Sequence, residues 1–331
     1  MRSPGDSGLK TLRRAPLGEA RSRRETPGPS GFLVVDKPSG WTSHDVVDAA
    51  RGWLGTRRVG HLGTLDPLAT GVLSLAVREA TKLVPFLMEG SKRYQAVIRL
   101  GVETETLDAQ GAVRRTHSGP LPEAGAVQQA LAHFEGELFQ TPPMFSAVKH
   151  RGVPLYRLAR RGVKVEAAPR RVRVDRIVCL GVSLPDLELA IDCSSGTYIR
   201  ALAADLGTLL GCGAHLAALR RLASGPFALA HARRPEELAR LASRDVEALL
   251  IPPAEALGLP VLRLACAEAR RVSHGAEIPA PAGLSLAGGK VAALDPEGSL
   301  LAVLELRANR ALWPLRVVGS WPRVAPSNPL C

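Results

Sequence analysis

The stretch Gly60-His61-Leu62-Gly63-Thr64-Leu65-Asp66-Pro67-Leu68-Ala69-Thr70-Gly71-Val72-Leu73 sets the reading of the whole chain. It carries one carboxylate, Asp66, in a loop punctuated by three glycines and a proline. Pro67 disfavours the helical region for Asp66. Gly60, Gly63 and Gly71 admit backbone conformations or close approaches that other residues resist. The apolar run Val72–Val77 that follows reads as a buried strand, so Asp66 is expected beside a rigid element. Two readings stay open on this stretch alone. Asp-Pro commonly starts a short helix, with Asp as cap and Pro in the first helical position. A carboxylate on a loop held by a rigid scaffold also suits a reactive group.

The 331 residues are enough for two domains. A formal charge of +12 and a pI near 10.1 favour a polyanionic partner, nucleic acid first. Hydrophobic residues make up 46% and aromatics 4%, so the core must be built mainly from Leu, Val and Ala. The five cysteines (Cys179, Cys193, Cys212, Cys266 and Cys331) include no C-x-x-C pair. That argues against a disulfide framework or structural zinc and predicts isolated thiols in a reducing compartment. No apolar run reaches the ~20 residues of a membrane span, and the start of the chain lacks a secretory apolar core. The expected location is the cytoplasm, away from membranes.

Residues 1–30 hold seven basic and three acidic side chains without apolar periodicity, predicting a disordered basic tail. Order begins at Gly31. Phe32–Asp36 reads as a strand, and Lys37 at its end suits a solvated turn, a structural contact or a phosphate contact. Thr42–Asp45 has capping-box spacing before a helix that turns Val46, Val47, Ala50, Trp53 and Leu54 inward and ends at Gly55. In Lys92–Leu100, Tyr94 shares the apolar parity with Ala96, Ile98 and Leu100, as either a core or a functional residue. Thr104, Thr106 and Asp108 alternate in the polar stretch beyond. Lys149 to Arg176 carries ten basic and two acidic residues, a solvated face or a phosphate-contact surface.

Leu187–Cys193 alternates as a strand and runs into a helix bearing Ile199, Leu202, Leu206 and Leu209. Arg200 falls in that helix's first turn, where a cation opposes the helix dipole, which hints at a carboxylate partner or at a side chain that snorkels to solvent. A single helix is expected over 235–250. After Gly258-Leu259-Pro260, short strands and one helix predict a small β-rich barrel.

Five segments occur in this order: Asp36-Lys37-Pro38, Gly60 to Leu73, Lys92-Arg93-Tyr94, Gly196-Thr197-Tyr198-Ile199-Arg200, and Leu219-Arg220-Arg221-Leu222. Together they resemble the TruB-type family of bacterial tRNA pseudouridine-55 synthases over roughly residues 31–230. The C-terminal part resembles that family's PUA-like RNA-binding domain more loosely. The resemblance implies an α+β fold with a mixed, mainly antiparallel central sheet flanked by helices. It implies a catalytic domain over 31–257, an RNA-binding thumb inserted at about 140–176, and a PUA-like domain over 258–325. It also implies an isomerase that converts uridine 55 in the T-arm of tRNA to pseudouridine by base flipping and covalent catalysis.

By the same resemblance Asp66 is the nucleophile, Tyr94 lies against the target base, and Arg200 pairs with Asp66. Tyr198 and Leu219 line the pocket, His61 contacts the RNA loop, and Lys37 and Pro38 support the site, Lys37 being counted with the substrate-binding set. Leu62 departs from the Thr that the family often carries. Isomerisation gains no atoms and changes no redox state, so neither cofactor nor metal is expected. The carboxylate must be ionised, and an adjacent Arg is expected to lower its pKa. The implied partner is the tRNA T-arm stem-loop, with a monomer and no protein partner. The competing reading is an RNA-binding or RNA-folding protein that keeps the scaffold without catalysis.

Overall fold

Alternating apolar residues build a central sheet with one apolar face, and two of its strands, Gly31–Lys37 and Thr70–Val77, are buried on both faces. The computed structural model describes residues 28–319 apart from Lys164 and Glu166, so most of the expected basic tail and residues 320–325 lie outside the described residues. The sheet comprises β1 (Gly31–Lys37), β2 (Val59–His61), β3 (Thr70–Val77), β4 (Lys92–Leu100), β5 (Gly136–Gln140), β6 (Arg170–Ser183), β7 (Asp186–Cys193), β8 (Ala214–Ser224) and β9 (Phe227–Ala228). Its order is β1-β3-β8-β4-β7-β6-β5, with β2 beside β3 and β9 beside β8. Every pairing is antiparallel except β3 with β8, which run parallel at Arg220↔Thr70 and Arg221↔Gly71. The expected α+β class with a mixed, mainly antiparallel sheet is what the chain adopts.

Leu33, Val35, Leu73, Leu75 and the Tyr94-Ala96-Ile98-Leu100 series share one core. Three helices cover that face: Ser43–Leu54, Ala124–Ala132 and Ile199–Leu209. The first has the expected capping box, with Asp45 N donating to Thr42 Oγ1 at 3.1 Å and Thr42 N donating to Asp45 Oδ2 at 2.7 Å. Gly55 closes it in the left-handed conformation.

Phe32, Val34, Val72 and Ala76 point to the opposite face, where they meet Ala292, Leu294, Leu300 and Val303 of the C-terminal unit. That unit is a curled sheet of β10 (Val261–Arg263), β11 (Ile278–Pro279), β12 (Lys290–Leu294), β13 (Leu300–Leu306) and β14 (Ala311–Val317), in the order β10-β12-β13-β14-β11. Its end strands do not pair with each other, so it is a half-barrel of PUA-like form. The Cys266–Ser273 helix packs on its core through Ala269 and Val272.

Several expectations change. Arg170 already pairs with Gln140 in the sheet, so the segment that joins β5 to β6 is residues 141–169. Arg170, Arg171, Arg173 and Arg176 are exposed on β6, around buried Val172, Val174 and Ile177. The end of the charge run is therefore an exposed strand face. Within the joining segment a short hairpin, Lys149–His150 with Val153–Pro154, leads into the Leu155–Ala159 helix. The single helix expected over 235–250 is two, Pro235–Leu238 and Ser243–Glu247, separated where Ala242 is extended. The quartet Leu219-Arg220-Arg221-Leu222 lies in the long strand β8. Cys179, Cys193 and Cys212 are free thiols, but Cys266 is disulfide-bonded, so the expectation of isolated thiols fails there. Among the described residues no helix is long and apolar enough to cross a membrane.

Candidate active site

The loop joining β2 to β3 carries Asp66 and is fastened along its length. Leu65 N donates to Ser43 Oγ at 2.8 Å, and Ser43 Oγ donates back to Leu65 O at 3.0 Å, tying the loop to the start of the Ser43–Leu54 helix. Gly40 N donates to Pro67 O at 2.7 Å, and Ala69 N donates to Asp66 O at 3.0 Å. No helix follows Pro67. Its carbonyl is drawn to the Gly40 turn and the chain enters β3 at Thr70, so the helix-start reading of Asp66 is corrected.

Lys37 is fully buried. Its Nζ donates to Trp41 O at 2.7 Å, Pro38 O at 2.9 Å and Pro67 O at 3.4 Å. It lines neither cleft described below and has no surface for an RNA contact. The expectations of a solvated turn, a phosphate contact and a substrate-binding role are corrected: buried backbone carbonyls take the ammonium inward, and it braces the Asp66 loop.

Arg221, also buried, does the same from the other side. Its Nε donates to Val72 O at 2.7 Å, Nη2 to Gly63 O at 3.2 Å and Nη1 to Thr64 O at 3.4 Å. The parallel β3–β8 contact that brings Arg221 there requires a glycine. Gly71 has φ +97°, and a β-carbon on it would lie 2.2 Å from the Arg221 carbonyl oxygen.

Arg200 projects from the first turn of the Ile199–Leu209 helix. Its Nε lies 2.9 Å from Asp66 Oδ2 and 3.8 Å from Asp108 Oδ2. Nη1 donates to Thr106 O at 3.0 Å and Nη2 to Phe145 O at 2.9 Å. The carboxylate that the misplaced cation hinted at is thus present, and there are two. Asp108 is held by Thr106 Oγ1 at 2.6 Å and Gln110 N at 3.0 Å. Its loop docks on β8 through Ala109 N to Leu216 O at 2.9 Å.

Two clefts meet at Asp66 and Arg200. The first, about 280 Å³, is lined by Tyr94, Tyr198, Leu219, Arg221 and Lys92 among others. The second, about 490 Å³, is lined by His44, His61, Phe145, Tyr156 and Arg160 among others. The structure therefore gathers Asp66, Tyr94, Arg200, Tyr198 and Leu219 around one cavity and places His61 on the neighbouring one. Among the described residues no His, Cys, Asp or Glu cluster could hold a metal ion.

Burial raises the Asp66 carboxyl above the ordinary range. Arg200 opposes the rise, and the Asp108 charge adds to it. This corrects the expectation of a net lowering by Arg200: the guanidinium acts in the foreseen direction, but desolvation of the carboxylate outweighs it. Burial likewise raises the Tyr94 phenol, against the pull of a hydrogen-bonded Arg221. Burial, then Arg221 and His44, lower His61.

Asp108, Arg221 and Lys92 were not singled out as site residues by the sequence reading. Asp108 carried a faint signal in its alternation with Thr104 and Thr106, and Lys92 in its shared parity with Tyr94. Arg221 lay in a quoted segment, but only the strand register shows that it faces the Asp66 loop.

Three family descriptions match the chain. They are "TruB family pseudouridylate synthase (N terminal domain)" over residues 51–199, "tRNA pseudouridylate synthase B C-terminal domain" over 200–257, and "tRNA Pseudouridine synthase II, C terminal" over 259–318. The chain is 45% identical over 269 residues to a tRNA pseudouridine synthase B of Geobacter sulfurreducens, covering 77% of this chain and 88% of that one. It is 44% identical over 286 residues to one from Arthrobacter sp., covering 83% and 92%. A solved Cbf5-Nop10-Gar1 complex has a chain similar to this one, with a TM-score of 0.64, 27% identity and coverage of 88% and 85%. An H/ACA RNP bound to a substrate RNA containing 2'-deoxyuridine gives 0.63, 26%, and 87% and 85%. Matched by these descriptions from residue 51 to residue 318 and by relatives over most of its length, the chain belongs to the TruB family of pseudouridylate synthases, isomerases that act on uridines in RNA.

Proposed function

We propose that this chain converts uridine 55 in the T-arm of tRNA to pseudouridine, with Asp66 as the covalent nucleophile. The observation that carries this reading is the Asp66–Arg200 ion pair at 2.9 Å, placed where the two clefts meet. The printed name of the relatives, tRNA pseudouridine synthase B, supports tRNA as the substrate.

The reaction breaks the C1′–N1 bond and joins C1′ to C5 of the same base. A carboxylate can attack at C1′ or at C6, and it acts in its ionised form. Arg200 favours that form against the cost of burial. The base must leave the helical stack to reach Asp66. In this reading Tyr94, Tyr198 and Leu219 hold it, and the enclosed cleft restrains the freed uracil while it turns. His61 meets the RNA loop from the second cleft.

The inserted segment 141–169 presents Arg157 and Arg160 within 6.0 Å and 5.7 Å of the Tyr156 ring, cations suited to the stem-loop phosphates. The C-terminal unit extends the contact toward the acceptor stem. Recognition then rests on loop shape and backbone, as is usual for folded RNA. Purified protein incubated with unmodified tRNA, followed by site mapping, tests this reading. Pseudouridine at position 55, also formed in a bare T-arm stem-loop, is the expected result. Product at another position, or none, overturns it.

A further inference from the structure

Lys92 opens β4 and shares its buried face with Tyr94, so both side chains reach the smaller cleft. Three cations line that cleft: Lys92, Arg200 and Arg221. Arg200 is committed to Asp66, Thr106 and Phe145. Arg221 is committed to the carbonyls of Gly63, Thr64 and Val72. Among the described residues the Lys92 ammonium has no hydrogen-bond or ion-pair partner, although the residue is only 8% exposed.

The groups facing it supply no counter-charge. Tyr94 lies two residues along its own strand. Cys193 on β7 and Ser224 on β8 are its register partners. Arg221 is a like charge, and Asp66 across the cleft is already paired with Arg200. Burial, with Arg221 adding repulsion, pulls the ammonium down to about 8, and burial pushes the Cys193 thiol up to about 11. An ammonium largely withdrawn from water with no counter-charge beside it costs stability. Its place in a ligand cleft points to an acceptor that arrives with the substrate.

We propose that Lys92 is a catalytic residue of the uridine isomerisation, its ammonium donating a hydrogen bond to a carbonyl oxygen of the extruded uracil. The inference rests on the function proposed above. When the C1′–N1 bond breaks, its electron pair passes into the uracil ring and spreads over N1 and the carbonyl oxygens. Attack at C6 instead places charge on C5 and O4. Either way a fixed donor at a carbonyl oxygen stabilises charge that develops during reaction. Lys92 keeps its proton throughout. As C5 bonds to C1′ the Asp66 carboxylate departs, C5 loses a proton and N1 gains one. Placed at O4, the same donor disfavours cytosine, which carries an amine donor there; at O2, which both bases share, it does not discriminate.

The test compares Lys92→Met and Lys92→Arg with the wild-type full chain on a tRNA transcript, using Asp66→Ala as control. Lys92→Met is expected to raise the melting temperature, leave tRNA affinity within twofold, and slow the single-turnover rate by about 100-fold. Lys92→Arg should restore part of the rate. In the wild type kcat/KM should fall above about pH 8. That limb should vanish in Lys92→Met and move to higher pH in Lys92→Arg. An unchanged single-turnover rate overturns the proposal, as does a loss cured by more RNA, which would assign Lys92 to phosphate. A lowered melting temperature with parallel loss of activity overturns it too. Asp66→Ala separates the two readings: an active Asp66→Ala refutes the site itself, whereas a dead Asp66→Ala beside a fully active Lys92→Met refutes Lys92 alone.

Discussion

Arg200 is held between two carboxylates, its Nε 2.9 Å from Asp66 and 3.8 Å from Asp108. The Arg200 side chain is 5% exposed, while that of Asp66 is 37% exposed. The cation is therefore fixed in the protein and the carboxylate faces the clefts. An arrangement with the reverse exposures would suit a structural bridge; this one suits a charged group kept available to a ligand. Replacing Arg200 with Ala should lower turnover at least 100-fold while changing tRNA affinity little, because its partners lie inside the protein and are not phosphates. Single-turnover rates and the salt dependence of binding check this. A loss confined to affinity, with a shallower salt slope, would assign Arg200 to the RNA backbone.

Asp108 adds to the rise in the Asp66 carboxyl, and burial is the larger cause. Activity that needs ionised Asp66 should therefore fail on the acid side at a pH above the ordinary value for Asp, about 3.9. In Asp108→Asn the acid limb of kcat/KM should move down, because a charge that opposes ionisation is gone. A limb that moves up would mean that Asp108 acts mainly by holding Arg200 in place.

The same shift has a consequence for stability. A carboxyl whose folded value is raised binds its proton more tightly in the folded state than in the unfolded one. Its contribution to stability is then present at low pH and is lost as pH rises from the unfolded value through the folded one. Asp66→Asn should therefore unfold at a higher denaturant midpoint than the wild type at neutral pH. A lower midpoint would show that the Arg200 pair outweighs desolvation.

Gly71 and Lys37 test the scaffold of the loop. Gly71→Ala places a β-carbon against the Arg221 carbonyl at φ +97° and should cost on the order of 3 kcal/mol, read by chemical denaturation. Lys37→Met removes the ammonium donor from the Pro38 and Trp41 carbonyls and leaves Pro67 O with Gly40 N. It should cost about 1–3 kcal/mol with no change in the salt slope of tRNA binding. A reduced slope would place Lys37 on the RNA after all.

The sequence made most of the scaffold legible, because strand alternation and helix caps are local signals. The Thr42–Asp45 box, the Tyr94 parity and the start of the Arg200 helix are each written in a few consecutive residues. The contacts that complete the site are not local. Arg221 meets Gly63 and Gly71 only through a parallel pairing across about 150 residues. Asp108 reaches Arg200 only because its loop docks on Leu216. Lys37 looked like a turn residue because the turn itself, through Pro38 O and Trp41 O, folds over its ammonium, and the Asp66 loop that adds Pro67 O lies 30 residues later. The net direction of the Asp66 shift was misjudged for the same reason: a neighbouring charge can be read from sequence motifs, whereas the depth of burial depends on the packed fold.

The most direct measurement incubates unmodified tRNA with the wild-type chain and with Asp66→Ala and quantifies pseudouridine at position 55. Product from the wild type alone, with both proteins binding tRNA equally, is the predicted result. Equal product from both would contradict the assignment of Asp66 as nucleophile.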